Sequence, residues 1–168
     1  MQAFAEAGVP LIEITPLQNL QRLALESIGL QPDLFVNWQA APELRAGSTG
    51  QFNIWLHLTA NATLPLTCQR CMAAVQTVLQ VDQWYRFVAS EDIAMAEDDA
   101  SVEDLLVLSP QFDLAEVLED ELLMALPLVP MHDLCPELPV FSAGILDASL
   151  DVAAKPNPFA ALAQLKKK

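Results

Sequence analysis

At 168 residues, with 53% apolar and 18% charged residues, the chain suits a single domain with one core and lies outside the disordered class. A net charge of −14 and a pI near 4.2 exclude strong binding of nucleic acid through counterion release and favour basic partners, although acidity also serves solubility alone. No apolar run reaches the ~18 residues of a membrane span. Residues 1–20 hold Glu6, Glu13 and Pro16 where a secretory leader needs a basic and then an apolar stretch. A cytoplasmic protein with no membrane and no DNA partner is expected, and three cysteines argue against a disulfide framework.

In chain order, Leu11-Ile12-Glu13-Ile14 predicts a short strand. Thr15-Pro16 reads as a helix start, with Leu17, Leu20, Leu23, Ala24 and Ile28 at helical spacing and Gly29 as the stop. Val36 to Leu44 predicts another strand. Phe52, Ile54, Leu56 and Leu58 then alternate with polar neighbours, and Leu64 to Thr67 continues the pattern. Ala73, Val75, Thr77, Leu79 and Val81 alternate again, with Tyr85 to Val88 as an extension. Cys68-Gln69-Arg70-Cys71 therefore falls at the turn between two long antiparallel strands.

Residues 91–104 carry seven carboxylates and no Lys or Arg, which predicts an acidic, mobile loop. Leu105 to Leu108 reads as a short strand. A helix over 113–126 starts at Asp113 with Glu116 in a capping-box-like pair and stops at Pro127. Leu114, Val117, Leu118, Leu122 and Ala125 line its apolar face, and Glu116, Glu119, Asp120 and Glu121 crowd the other, read as a solvated face that meets a basic partner. Residues 136–156 are weakly patterned and read mostly as loop. Lys155-Pro156-Asn157-Pro158 is a stiff link, after which Asn157 caps a short helix with Phe159, Leu162, Ala163 and Leu165 on one side and Lys166 to Lys168 at its end. The expected architecture is one α+β domain over 1–154 and a tail over 155–168. The domain combines a mainly antiparallel sheet, an N-terminal helix and the acidic helix near 113–126; the tail adds a short C-terminal helix.

Two thiols three residues apart invite a metal reading. Cys68 and Cys71, with His132 and Cys135 at the same three-residue step, could supply a tetrahedral Cys₃His set for zinc. Arg70 between the first pair favours thiolates. The same cysteines could instead be free thiols that pack. Thioredoxin-like chemistry would need the first cysteine at a helix N-terminus, and the flanks here read as strands. A Mg²⁺ site on Glu119-Asp120-Glu121 would lack basic residues to hold an RNA backbone. His57 reads as an exposed strand residue. Trp55 and Trp84 lie on neighbouring strands and read as sheet packing, with a stacking platform for single-stranded RNA as the alternative. No triad, P-loop or cofactor fingerprint is present, so no enzyme is expected and no catalytic residue is assigned.

Three ordered motifs carry a resemblance: Cys68-Gln69-Arg70-Cys71; Glu119-Asp120-Glu121 leading into Leu126-Pro127-Leu128-Val129-Pro130-Met131-His132-Asp133; and Lys155-Pro156-Asn157-Pro158-Phe159-Ala160-Ala161-Leu162. Together they resemble the YceD family of large ribosomal RNA subunit accumulation proteins. The resemblance covers the second half of the chain closely and the first fifty residues only in general pattern. It implies support for the synthesis, processing or stability of 23S ribosomal RNA and carries over no catalytic residue. Where some relatives have a further cysteine and a glycine, this chain has Cys135-Pro136-Glu137-Leu138, which leaves His132 as the needed fourth ligand.

The partner this implies is a ribosomal protein or assembly factor of the large subunit, held by Glu119, Asp120 and Glu121 and by a tail that docks through Asn157, Phe159, Leu162 and Lys166. The alternative is direct binding of a 23S rRNA precursor by a zinc knuckle with Arg70 and the basic tail.

Overall fold

Alternation of apolar and polar residues builds one sheet. In the computed structural model, which describes residues 1–29, 31–47 and 52–136, five strands run in spatial order β1 (Leu11–Pro16), β2 (Phe35–Ala46), β3 (Phe52–Thr67), β4 (Ala74–Val88) and β5 (Asp104–Val107). The first four form an antiparallel meander, and β5 pairs with β4 in parallel. Four helices accompany them among the described residues: α1 (Gln2–Ala7), α2 (Gln21–Glu26), α3 (Glu91–Glu97) and α4 (Leu114–Met124). The fold is α+β with a mostly antiparallel sheet. The tail with Asn157, Phe159, Leu162 and Lys166, its expected helix and nearly all of the 136–156 loop lie outside the described residues.

The period of two decides which face is buried. Ile54, Leu56, Leu58, Ala60, Ala62, Leu64 and Leu66 of β3 all lie in the core, beside Val75, Leu79, Val81, Tyr85 and Phe87 of β4. Leu17, Leu20 and Leu23 cover this face from one side and Leu118 and Leu122 of α4 from the other. Burying each leucine contributes about 1.5–3 kcal/mol relative to leaving it in water.

The helix expected from Thr15 to Ile28 is broken in two. β1 extends to Pro16, a 3₁₀ turn covers Leu17–Asn19, and α2 begins only at Gln21. Thr15 is therefore no N-cap; its Oγ1 accepts the Trp38 indole N–H at 2.9 Å. The apolar residues that matter, Leu17, Leu20 and Leu23, stand three apart, which suits a tight turn as well as an α-helix. Leu20, at φ −97° and ψ 82°, leaves the N-terminus of α2 without a cap from its own side chain. Glu119 of α4 supplies one across 96 residues of sequence: its Oε1 accepts from the backbone N–H of Arg22 at 2.7 Å and of Leu23 at 3.1 Å, and Oε2 takes the Arg22 Nε–H at 3.0 Å. Glu119 is thus buried, and the expected solvated face of α4 is corrected at this position. A carboxylate placed on the positive end of another helix has lost its freedom to face solvent.

The acidic stretch 91–104 is not a bare loop. A parallel β4–β5 pair needs a crossover of a dozen or more residues, and α3 fills it. Ser90 caps α3 by accepting from the Ile93 N–H, and Glu91 and Asp92 sit in its first turn, where the helix dipole favours them. Arg86 of β4 supplies the missing cation, with Nε to Glu103 at 2.7 Å, Nη1 to Glu97 at 2.8 Å and Nη2 to Ser101 Oγ at 2.9 Å. Burial alone would raise the Glu103 pKa; the Arg86 hydrogen bond and charge together with the backbone N–H groups of Glu103 and Val102 outweigh it and hold the carboxyl below its usual range.

Replacing Glu119→Ala leaves two helix N–H groups and the Arg22 Nε–H without their acceptor. It should cost about 2–4 kcal/mol in denaturant unfolding. Asp120→Ala, which removes only an exposed partner of Arg22, should cost less than about 1 kcal/mol.

Candidate metal centre

The long hairpin of β3 and β4 closes through residues 68–73. The Cys68 N–H donates to Ala73 C=O and the Met72 N–H to Cys68 C=O, each at 2.9 Å. This tight closure puts Met72 at φ 62°, in the left-handed region that side chains disfavour. The turn aims Cys68 into the core, where it is fully buried, and leaves Cys71 half-buried.

The second half of the cluster arrives after α4. The helix gives way before Pro127, and the segment carrying Pro127 and Pro130 lacks two N–H donors, so it can lie against the turn without a full ladder. One backbone bond pins it, from the Gln69 N–H to Pro130 C=O at 2.9 Å. Arg70 lies over it with Nη2 3.9 Å from the Met131 sulfur. Residues 132–135 then bring His132 and Cys135 to the turn.

Four ligand atoms converge: the sulfurs of Cys68, Cys71 and Cys135 and a ring nitrogen of His132 all lie within 4.8 Å of one another. Cys68 Sγ is 3.9 Å from Cys135 Sγ, and Cys71 Sγ is 3.4 Å from His132 Nδ1. The other ring nitrogen, Nε2, is 3.0 Å from Ala74 C=O. A carbonyl can only accept, so the proton sits on Nε2 and the Nδ1 lone pair faces the sulfurs. This second partner fixes the tautomer a metal-binding histidine needs.

The thiols differ in acidity. Burial pushes Cys68 up, but hydrogen bonds from the backbone N–H groups of Cys71, His132 and Arg70 win and draw it down to about 5. Burial and the neighbouring sulfurs push Cys135 up to about 11. The cluster holds one readily formed thiolate with two more sulfurs and an imidazole around it, and it could bind a metal ion.

The acidic candidates are not all free to meet a partner. Glu119 is occupied as the cap of α2. Asp120 is exposed and paired with Arg22, and Glu121 accepts the Tyr85 hydroxyl at 2.6 Å. Burial and this acceptor raise the Tyr85 pKa.

The face of the sheet away from the core carries a second cluster. Here Trp84 stacks on His57, with ring centroids 4.2 Å apart and planes 1° apart, and His57 donates to Asp82 at 2.6 Å. The Arg45 guanidinium lies 4.4 Å from the Trp55 centroid and 4.2 Å from that of Trp84. With His57 covering one face of Trp84, a cation this close must cover the other. His57 is therefore a half-buried member of a stack, and an exposed strand histidine was the wrong expectation. Register was the available signal, because His57 of β3 stands directly opposite Trp84 of β4. Arg45 gave none, since its approach to the indoles depends on how three strands line up.

The sequence profile described as "Large ribosomal RNA subunit accumulation protein YceD" matches residues 56–166, a span that includes the whole metal cluster. A protein of Haemophilus influenzae with that same description is 39% identical over 110 residues, which cover 61% of this chain and 60% of the relative. No solved structure matches the chain.

Met72→Gly should keep the turn and raise stability by up to about 1 kcal/mol, because glycine adopts the left-handed conformation freely. Urea unfolding of the two proteins side by side measures it.

Proposed function

The chain belongs to the YceD family, and from that premise we propose that it is a non-enzymatic cytoplasmic factor that sustains the synthesis, processing or stability of 23S ribosomal RNA by holding a basic protein of the assembling large subunit. The observation that supports a protein partner is the charge inventory. Residues 1–136 hold nineteen carboxylates against four arginines and no lysine. Arg22, Arg45 and Arg86 are each paired with carboxylates. Such a surface repels an RNA backbone and steers cationic proteins toward it.

In this reading the Cys₃His cluster holds zinc as a structural ion. Three thiolates and an imidazole are the donors zinc prefers, and the Nε2 contact to Ala74 C=O leaves Nδ1 ready to bind. A tetrahedral zinc ion separates its ligand atoms by about 3.6–3.8 Å. Cys68–Cys135 at 3.9 Å and Cys71–His132 at 3.4 Å sit on either side of that range. With four protein ligands the ion would have no open position for substrate, in keeping with a structural and non-catalytic role. The ion would tie the hairpin turn to the segment after α4.

Arg70 favours a second reading. It is the one arginine among the described residues with no carboxylate partner, and it projects from the metal-bearing turn, as an RNA-contacting knuckle would require. The two readings part in solution. Binding to a large-subunit ribosomal protein should weaken steeply with salt and survive Arg70→Ala. Tight binding of free rRNA at physiological salt that is lost with Arg70→Ala would overturn the protein-mediated mechanism.

Cells lacking the gene should show a lowered ratio of 23S to 16S rRNA that the wild-type copy restores; an unchanged ratio would sink the functional reading. Elemental analysis should find one zinc per chain, absent from the Cys68→Ser, Cys71→Ser double variant. Chelation should lower the melting temperature by ~10 °C, equivalent to about 3 kcal/mol for a chain of this size. A melting curve indifferent to chelator would reduce the four residues to packed thiols and a histidine.

A further inference from the structure

On the outer face of the sheet, Trp55, Trp84, Arg45, Gln83, Val102 and Glu103 line a cleft of about 460 Å³. Its floor is aromatic, and Val102 on its lip is fully exposed, 101% relative to a free residue. Its surroundings are acidic. Glu43 pairs with Arg45, Glu97 and Glu103 pair with Arg86, and Asp82 accepts from His57. Four carboxylates therefore stand around the indoles against two guanidiniums and one imidazole. The carboxylates of Glu43, Glu97 and Asp82 remain about half or more exposed.

The pair of indoles already holds a cation, Arg45. An aromatic floor that stabilises a guanidinium within a ring of carboxylates is suited to a cationic side chain beside an apolar one. We propose that this cleft is the docking site for the basic partner. It would take a short segment in which an apolar side chain packs on Val102 and the indole edges while flanking lysines or arginines pair with the exposed Glu43, Glu97 and Asp82. This rests on the reading of a basic protein partner and adds where that partner is held. The occupant is argued from charge complementarity: an RNA strand brought to the same indoles would place its phosphates among these four carboxylates.

Arg45 makes the proposal sharp, because it competes with the incoming cation. Removing it uncovers an indole face and releases Glu43. Arg45→Gln should therefore tighten binding of a cationic ligand, whereas it should weaken any anionic one.

The test uses the full-length chain, a twelve-residue capped peptide of lysines and arginines interspersed with leucine and phenylalanine, and a twelve-nucleotide oligouridylate as the competing probe. Calorimetric titration at physiological salt gives the affinities. Val102→Lys changes a fully exposed residue, so the fold is not at risk, and it should weaken the peptide at least about fivefold by adding a like charge and removing the apolar lip. Arg45→Gln should strengthen it by about threefold or more by the same rule. Peptide affinity unchanged in both variants would overturn the cleft while leaving a basic partner held elsewhere. Weaker peptide binding in Arg45→Gln would also overturn the cleft. Preferential binding of oligouridylate, or no peptide binding at all, would overturn the cleft and the protein-partner reading together.

Discussion

The carboxylate of Glu119 accepts hydrogen bonds from residues 96 and 97 positions earlier in the chain, and the rest of the structure is arranged around that contact. It caps the N-terminus of α2, which cannot cap itself, and it anchors α4, whose Leu118 and Leu122 close the core over the sheet. Buried charges are expensive unless every lone pair is engaged. Here two backbone N–H groups and a guanidinium engage them. Once α4 is held at that height, the proline-rich segment that follows has a defined start. It runs back along the hairpin turn and brings His132 and Cys135 to the two earlier cysteines. The metal centre is thus downstream of a helix cap that shares no residue with it.

The two clusters use opposite faces of one sheet and opposite physics. Toward the core, alternate residues of β3 and β4 are aliphatic, and the turn at their end carries a buried Cys68 and a half-buried Cys71. Away from the core, the same strands expose indoles, an imidazole and a guanidinium, held by stacking and by cross-strand charge pairs. Trp55 Nε1 is buried there with no acceptor among the described residues. That ring is held by its contact with Arg45 and not by a hydrogen bond. Because successive side chains of a strand alternate in direction, the hairpin that ends in Cys68 and Cys71 and the two indoles of the cleft come from the same two strands without competing for residues.

Local features of this architecture were readable in the sequence, and features set by long-range pairing were not. The turn at Cys68–Cys71 followed from two alternating runs on either side, and the His132–Cys135 step matched it in ligand chemistry. The α4 start followed from Asp113, whose Oδ1 does accept from the Ala115 N–H. The acidic stretch 91–104 misled because its cation, Arg86, sits outside it on a neighbouring strand. The parallel placement of β5, which turns that stretch into a crossover with a helix, leaves no local trace. Glu119 misled in the same way: a charged residue in a charge run reads as solvated, and only the position of α2 turns it inward. The helix over 15–28 failed for a different reason, since leucines three apart satisfy a 3₁₀ turn followed by one short helix as readily as a single longer one.

The four residues of the candidate metal cluster are unevenly spaced along the chain, and synthesis runs from the first residue to the last. Cys68 and Cys71 leave the ribosome together; His132 follows 61 residues after Cys71, and Cys135 follows 67 residues after Cys68. At ~5–20 residues per second, the early pair waits several seconds with only two sulfurs to offer an ion. A four-ligand grip becomes available only when the sheet has closed, the crossover has placed β5 and α4 has docked. In the zinc reading, metal capture would therefore be a late event that reports completion, and a nascent chain stalled before residue 132 would lack half of the ligands that mark the domain as finished.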